Sequence, residues 1–280
     1  MSAGDFVTGE GAGLTAAEYK KIQDYIYNKL GLDVDEKKRE TVTTKIAKLT
    51  RRRGMASPQD YVKFILSATD PDDIQEFFNE ITTNTTGFFR ENEHFKFIKE
   101  NIGGIIEDIP RIKRAGEIRL WSAPCSSGEE PITMAIVLKE CLPPGIRIKI
   151  LATDISAKVL QKAERGIYSQ SECKGLSGQH LAAYFKKQDE GFYVVEPELK
   201  KLITYRHFNF MDEFKFIRNG FDIIFCRNVM IYFSNETQEK LINKFYDVLV
   251  PNGLFFIGHS ESLINKKHNF KYVRTAVFKK

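Results

Sequence analysis

The chain has 280 residues, of which 42% are hydrophobic and 12% aromatic, so it can bury a large core, and general disorder is excluded. No apolar run reaches the roughly 18 residues that a membrane-spanning helix needs, and the first residues lack the pattern of a signal peptide. These features predict a cytoplasmic protein of one large or two smaller domains, without insertion into the membrane. The net charge of +5 is mild, and the basicity is concentrated between Lys37 and Arg53, where eight Lys or Arg residues accompany one Glu.

Four cysteines, at positions 125, 141, 173 and 226, are scattered along the chain without a Cys-x-x-Cys pair or a histidine at ligand spacing. This arrangement predicts neither disulfides nor a zinc site, and it favours buried free thiols in a reducing compartment. We therefore expect no metal.

Residues 1–13 are glycine-rich and are predicted to form a flexible tail. The segment 14–100 carries the start signals of successive helices and no strand pattern. These signals are a capping box at Thr15, and an N-cap followed by proline at Ser57-Pro58 and Asp70-Pro71. The sequence therefore predicts a small all-helical N-terminal domain.

The pattern changes at Glu117, where apolar runs begin to alternate with helices. Runs that are hydrophobic throughout are typical of strands covered on both faces, as in a parallel sheet. Residues 101–116, with Gly103-Gly104 and Pro110 as breakers, are predicted to link the domains. Residues 117–280 are predicted to form a doubly wound, mostly parallel α/β domain. Its strands are EIRLWSA, RIKILATD, FDIIFCRNV and GLFFIGHS, with KYVRTAVFKK as an edge strand.

Polar side chains follow three of these strands, at the edge of the sheet where ligands of doubly wound folds bind. They are Glu129 after the first strand, Asp154 at the end of the second, and Arg227-Asn228 after the third. Asp154 is suited to accept hydrogen bonds from both hydroxyls of a ribose. It could equally cap the helix that begins near Ser156, and the residues alone leave both roles open.

The loop before Glu129 lacks the features of a phosphate site, since it has one glycine, no Gly-x-Gly-x-x-Gly pattern and no Lys-Ser/Thr pair. Two carboxylates follow its glycine, which favours a positively charged nucleoside over an anionic one. S-adenosylmethionine carries a sulfonium, an ammonium and a ribose but no phosphate, so it fits this pattern. For one of the two residues, Glu129 or Glu130, the dipole of the helix that begins there is a sufficient explanation.

Five longer segments, taken together, are specific enough to suggest a family. They are ITTNTTGFFREN (81–92), WSAPCSSGEEP (121–131), ATDIS (152–156), FDIIFCRNVMIYF (221–233) and NGLFFIGHSESL (252–263). In order and spacing they resemble the chemotaxis receptor glutamate methyltransferases, the CheR family, over nearly the whole chain after the tail. The resemblance implies S-adenosylmethionine as cofactor, S-adenosylhomocysteine as product, and the cytoplasmic helical domain of methyl-accepting receptors as partner.

The resemblance also implies site residues. Arg90 and Tyr232 would lie closest to the reacting atoms, where Arg90 orients the acceptor carboxylate or the cofactor without fully pairing. A receptor glutamate has a solution pKa of about 4.3 and is already ionised at neutral pH, so it needs no general base. The implied cofactor contacts are Asn84, Thr86, Arg90, Glu129, Asp154, Asn209, Phe210, Arg227 and Asn228.

A basic face is predicted on the second helix, opposite its apolar side; it consists of Lys45, Lys48, Arg51, Arg52 and Arg53. By composition such a run is most often a solvated surface. The alternative is an electrostatic dock for an acidic partner, and the resemblance implies that this helix meets the receptor.

The resemblance further implies a small antiparallel β-subdomain, inserted at about residues 167–208. Members that bind a receptor's C-terminal pentapeptide have a longer, glycine-containing loop there. This chain has only the short segment Lys186–Val194, which argues against pentapeptide tethering. Nothing in the pattern requires more than a monomer.

Two other functions use the same fold. A nucleic-acid methyltransferase would share the cofactor, but base-directed enzymes often carry an Asn/Asp-Pro-Pro-aromatic motif where this chain has CRNVMIYF. A protein that binds S-adenosylmethionine as a sensor or scaffold, without turnover, is the second alternative. It is disfavoured because Arg90 and Tyr232 are both present.

Overall fold

The structure is a computed structural model that describes residues 13–214 and 220–280, apart from the side chain of Glu190. The chain divides into two compact units, one ending at Thr83 and one beginning at Asn84. The predicted tail lies outside the described residues except for Gly13. The division falls well before residue 100, where the sequence placed the end of the helical domain.

The first unit consists of helices. Its predicted start signals are confirmed: Thr15 forms a capping box, and the side chains of Ser57 and Asp70 accept hydrogen bonds from backbone amides of the helices that they begin. α3 contacts α1, α2 and α4, and the rings of Tyr61 and Phe77 are buried between them. The bounds are α1 Ala16–Leu30, α2 Arg39–Arg52, α3 Pro58–Ser67 and α4 Pro71–Ile81.

The second unit alternates strands and helices, as predicted. Its helices are α5 Glu93–Asp108, α6 Pro110–Ala115, α7 Glu129–Cys141, α8 Ala157–Arg165, α9 Gly178–Tyr184, α10 Pro197–Lys200 and α11 Asn235–Val248. Its strands are β1 Glu117–Ser122, β2 Arg147–Asp154, β3 Ile167–Ser169, β4 Phe185–Lys187, β5 Phe192–Val195, β6 Ile203–His207, β7 Phe221–Cys226, β8 Leu249–Ile257, β9 Lys271–Arg274 and β10 Val277–Lys279.

Seven of these strands form one sheet in the order β6-β2-β1-β7-β8-β10-β9. The neighbours from β6 to β8 are parallel, while β10 and β9 are antiparallel to their neighbours. The predicted C-terminal edge strand is therefore a hairpin of two strands. The other edge, β6, was missed because it is largely exposed and lacks a continuous apolar run. All residues of β7 are buried, as the hydrophobic pattern predicted.

The predicted linker over residues 101–116 is wrong in its structure. Gly103 and Gly104 lie within α5, and Pro110 is the first residue of α6. Each glycine costs a helix interior about 1 kcal/mol relative to alanine, but Ile102 and Ile105 on the same helix are buried in the core of the second unit. This burial outweighs the unfavourable local propensity.

The inserted β-subdomain is confirmed as an antiparallel sheet in the order β3-β5-β4. It is shorter than predicted, because β6 pairs with β2 in the main sheet and so does not belong to the insertion.

All four cysteines are free. Three are buried as expected, whereas Cys141, at the end of α7, is only half-buried. In the described ranges, no helix has the length and hydrophobicity needed to cross a membrane.

Candidate functional site

The candidate site lies in the second unit, where the parallel strands of the sheet end at one edge. Four segments meet there through hydrogen bonds: the loop after β1, the end of β2, the turn after β7 and the loop after β8. A fifth, residues 84–92 before α5, is attached to them. The Ser126 hydroxyl donates to the Asn84 carbonyl oxygen at 3.0 Å, and Arg227 Nη2 donates to the Arg90 carbonyl oxygen at 2.8 Å.

The loop between β1 and α7 passes close to its neighbours. Gly128 has φ 98°, and a Cβ there would lie 2.8 Å from the Tyr168 hydroxyl oxygen and 2.9 Å from Ala163 Cβ. Only glycine therefore fits at this position. The Tyr168 hydroxyl donates to the Ser127 carbonyl oxygen at 2.7 Å, so a strand of the β-subdomain supports this loop.

The two consecutive glutamates of the loop have different partners. Glu130 accepts hydrogen bonds from the Ser122 hydroxyl at 2.7 Å and from Arg227 Nε at 2.8 Å. Glu129 is only 3% exposed, and the hydroxyl of Ser127, 2.8–2.9 Å away, is its side-chain donor. Within the described ranges Glu129 has no ion pair, and burial raises the pKa of its carboxyl group. Glu129 is therefore the carboxylate that a ligand cation would complement.

Asp154 does not cap α8, which corrects one of the two roles left open by the sequence. Ser156 is the N-cap and accepts from the Val159 amide. Asp154 is 4% exposed, and its oxygens accept from the backbone amides of Ser126 and Ser156, each at 2.9 Å. Burial raises the pKa of Asp154. The Ile155 amide also interacts with this carboxylate. An ionised carboxylate has about four acceptor positions, so a hydrogen bond to a ribose is compatible with this geometry.

Arg227 is buried, and its guanidinium forms hydrogen bonds and ion pairs with protein groups from several segments of the site. Besides Glu130 and the Arg90 carbonyl, its Nη1 lies 2.9 Å from His94 Nδ1 and 3.6 Å from Glu91 Oε2. Its side chain is 2% exposed. The resemblance implied that Arg227 contacts the cofactor. We propose instead that Arg227 supports the cofactor site through these protein contacts without touching the cofactor.

Arg90 and Tyr232 lie on the two segments that Arg227 and its neighbour Asn228 join. Arg90 Nη1 donates to the Thr85 carbonyl oxygen at 2.6 Å, and the side chain is half-buried. Tyr232 ends a 3-10 turn after β7, is half-buried, and donates its amide to the Val229 carbonyl oxygen.

The remaining implied cofactor residues lie on two segments that reach this edge of the sheet. Asn84 and Thr86 are half-buried and belong to the segment 84–92. Asn209 and Phe210 follow β6, whose His207 pairs with Asp154 of β2. Asn209 Oδ1 accepts a hydrogen bond from the Met211 amide at 3.0 Å. Phe210 is 8% exposed and packs on other rings, those of Phe208, Phe233 and Phe245.

Glu91, His94 and His259 bring potential metal-ligand atoms within 4.8 Å of one another. The guanidinium of Arg227 already lies against Glu91 and His94. Because Arg227 donates to His94 Nδ1, the neutral ring carries its proton on Nε2, which cannot then ligate a metal. Burial and the Arg227 charge lower the pKa of His94 to about 3. Arg227 thus supplies the positive charge that a metal ion would supply here.

Sequence reasoning missed two carboxylates that organise the site. Glu130 was weighed only as a residue near the helix dipole, and Glu261 was quoted in a motif without a role. The Glu261 carboxylate accepts the backbone amides of Val229 and Met230, which begin the turn before Tyr232. The only signal for Glu261 was its position shortly after β8, at the edge where the other polar residues collect.

The basic face of α2 lies in the first unit and is largely paired within it, which the sequence did not predict. Lys45 Nζ donates to the Ile81 carbonyl oxygen at the end of α4, and burial lowers the pKa of Lys45. Arg51 is exposed and has no side-chain partner in the part of the chain that the structure describes. The ion pairs to α4 are Lys48–Glu80, Arg52–Glu76, Arg52–Glu80, Arg53–Asp73 and Arg53–Glu76, at 2.5–3.2 Å.

Comparison with known proteins identifies the family. The profile described as "CheR methyltransferase, SAM binding domain" matches residues 84–278, and "CheR methyltransferase, all-alpha domain" matches residues 17–82. The chain belongs to the CheR methyltransferase family. The two matched ranges agree with the two compact units of the structure.

The CheR relatives extend over nearly the full chain. A chemotaxis protein methyltransferase of Borreliella burgdorferi is 36% identical over 95% of this chain and 95% of its own length. The proteins of that name from Salmonella typhimurium and Escherichia coli are 37% and 36% identical, each over 92% of this chain and 88% of the relative.

Membership of the CheR family makes the chain a methyltransferase that uses S-adenosylmethionine. The donor set fits this cofactor, because the buried Glu129 accepts from one hydroxyl and forms no described ion pair, and Asp154 accepts hydrogen bonds at the end of β2. A molecule with positive charge and a ribose complements both groups.

Proposed function

We propose that this CheR-family methyltransferase esterifies glutamate side chains of chemotaxis receptors, forming glutamyl methyl esters for sensory adaptation. The names of the relatives, which extend over most of the chain, support a receptor substrate. The observation that carries the proposal is the buried Glu129, which forms no ion pair within the described residues. It favours a methyl donor that is itself positive, and such a donor reacts readily with a carboxylate.

The chemistry assigned to the acceptor side follows from charge. S-adenosylmethionine supplies a methyl group on a positive sulfur. The acceptor carboxylate forms the new C–O bond as the C–S bond breaks, and opposite charges are neutralised in the transition state. Residues that exclude water therefore favour the step, because water stabilises separated charges more than the transition state. No proton has to be removed from an ionised glutamate.

Arg90 and Tyr232 are the proposed orienting residues. The bond from Arg90 Nη1 to the Thr85 carbonyl oxygen holds the guanidinium to its own segment. An arginine held in this way can direct a carboxylate by one hydrogen bond without the bidentate pairing that would stabilise the ground state. Tyr232 would complete the orientation through its hydroxyl group.

The helical domain of the receptor is the proposed partner, and the first unit is the proposed receptor-docking domain. Of the basic face, Arg51 is the residue whose side chain has no described partner, so it is the main candidate for contact with an acidic helix. We keep the expectation that the short turn between β4 and β5 does not serve pentapeptide tethering.

The test is methyl transfer from labelled S-adenosylmethionine to membranes that contain chemotaxis receptors, followed by mild base. A carboxyl methyl ester releases volatile methanol under these conditions, whereas N-methyl groups remain. We expect volatile label that depends on the receptor. Cofactor binding without volatile label from several receptors would contradict the proposal and favour the sensor function.

The matched variants are Arg90→Ala and Arg114→Ala. Arg114 is an exposed residue of α6 outside the site. We expect Arg90→Ala to lose about 10- to 100-fold in kcat while its affinity for S-adenosylhomocysteine changes little. The Arg114 variant should match the wild type. Equal losses of turnover and cofactor affinity in Arg90→Ala would remove the orienting role.

A further inference from the structure

Glu261 joins the two loops that follow β7 and β8 through one carboxylate. Its Oε1 accepts the amides of Val229 at 2.8 Å and Met230 at 2.7 Å. Its Oε2 accepts the amides of Asn228 at 2.9 Å and Gly258 at 2.6 Å. Four backbone donors thus use the acceptor capacity of both oxygens.

The local backbone is shaped to receive this carboxylate. Asn228 has φ 59°, in the left-handed region, and such a residue turns successive amides towards one point, where they form an anion-binding nest. Gly258 lies so close that a Cβ would be 2.9 Å from the Asn228 backbone nitrogen. Glu261 is therefore built into the turn rather than resting on its surface.

The turn that Glu261 holds carries groups of the proposed reaction. Glu261 accepts a hydrogen bond from the amide of Met230. Met230 begins the 3-10 turn that ends at Tyr232. On the other side, Asn228 Nδ2 donates to Glu91 Oε1 at 2.9 Å, and Glu91 is the neighbour of Arg90 in sequence. The same carboxylate thus holds the start of the turn that ends at one orienting residue, and it is linked through Asn228 to the segment that carries the other.

We propose that Glu261 is a positioning residue for methyl transfer, which fixes Tyr232 and Arg90 relative to each other by binding the amides of the β7 turn. This inference rests on the proposed function only for the roles of Tyr232 and Arg90. That Glu261 holds the backbone of the β7 turn can be measured without an activity assay.

The test is Glu261→Gln in the full chain. The variant replaces one carboxylate oxygen by an NH2 group, so two of the four amides would face a donor instead of an acceptor. We expect faster hydrogen exchange in peptides covering residues 228–233. We also expect kcat per S-adenosylhomocysteine-binding site to fall about 10- to 100-fold, because small displacements of orienting groups are costly. Glu261→Asp, which keeps the charge on a shorter side chain, should recover part of this loss.

The matched control is Asp222→Asn at the opposite end of β7. Asp222 is also a buried carboxylate that accepts a backbone amide, that of Arg119 at 2.7 Å, and it pairs with Arg111. Its variant should lose thermal stability but keep the wild-type kcat per binding site. Glu261→Gln with unchanged exchange at 228–233, or with the turnover per site of the control, would overturn the proposal. A wild type that forms no receptor ester would count against the proposed function alone, and the exchange comparison would still decide this inference.

Discussion

Glu129 and Glu130 are neighbours in the first turn of α7, but their carboxylates have different surroundings. Glu130 forms a buried ion pair with Arg227, while Glu129 has a hydroxyl as its side-chain donor. An ionised group in such a place costs stability until a cation complements it. Sites that bind charged ligands commonly carry such a cost in the free protein, because the charge of the bound ligand offsets it.

Replacing Glu129 by Gln should therefore have opposite effects on stability and on binding. Without ligand, at neutral pH, we expect the variant to be more stable by about 1–3 kcal/mol, since a poorly solvated charge is removed. Its affinity for S-adenosylmethionine should fall about 10- to 100-fold, the value of a charge-assisted hydrogen bond. Thermal unfolding and calorimetric titration measure the two effects. A variant that is destabilised and binds normally would contradict the assignment.

The pH dependence of the same variant follows from the direction of the shift. Burial raises the folded-state pKa of Glu129 above its unfolded value. The ionised carboxylate therefore costs stability above the folded-state pKa, and the cost disappears as the pH falls to the ordinary range of glutamate. The difference in the free energy of unfolding between Glu129→Gln and the wild type should therefore shrink as the pH falls from the folded-state pKa of Glu129 to the ordinary range of glutamate. In the wild type, the affinity for the cationic cofactor should decrease as the carboxyl group becomes protonated.

At the scale of elements, α2 and α4 are joined by ion pairs along the basic face. Of the cations that form these ion pairs, Arg53 is the least exposed, with its side chain 24% exposed, and it contacts both Asp73 and Glu76. A charge run that looks available for a partner in the sequence is thus mostly occupied by the neighbouring helix. Partly exposed pairs contribute little individually, but reversing one charge creates repulsion with two carboxylates.

Charge reversal should consequently separate docking from stability. We expect Arg51→Glu to raise the KM for receptor at low salt, with kcat and the melting temperature largely kept. Arg53→Glu should destabilise the first unit by roughly 1–2 kcal/mol. Steady-state kinetics and thermal unfolding of both variants test this. An unchanged KM for Arg51→Glu at low salt would rule out docking through this residue.

At the scale of the whole molecule, the chain consists of two compact units, and the residues assigned to the cofactor all belong to the second. Residues 84–100 are part of it, because α5 and the segment before it are hydrogen-bonded or packed against the sheet edge. Arg227, for example, binds the Arg90 carbonyl oxygen. Domains with their own core generally fold alone.

Two fragments distinguish this boundary from the one expected at residue 100. Fragment 84–280 should fold and bind S-adenosylhomocysteine as tightly as the full chain. Fragment 101–280 lacks the first half of α5 and the Arg90 segment, so it exposes part of the core and should bind poorly. Calorimetry and circular dichroism measure both properties. Normal binding by the shorter fragment would place the boundary where the sequence predicted it.

The sequence predicted the elements best where local chemistry decides them. The caps at Thr15, Ser57 and Asp70 were confirmed, because a cap depends on residues within one turn. The buried strand β7 was recognised because its whole sequence is apolar. The break predicted at Gly103 and Gly104 was wrong, since burial of isoleucines of the same helix in the core outweighs the low helix propensity of the two glycines.

By itself, the sequence determined the fold class and, through motifs that resemble a known family, the cofactor, because both depend on short patterns of hydrophobicity, capping and motif. Only the tertiary structure decided what each polar side chain binds. Glu130 meets Arg227 across 97 residues of chain, and Glu261 meets Asn228 across 33. Charges pair with whatever the fold brings within a few ångströms, and that distance in space has no counterpart in the order of residues along the chain.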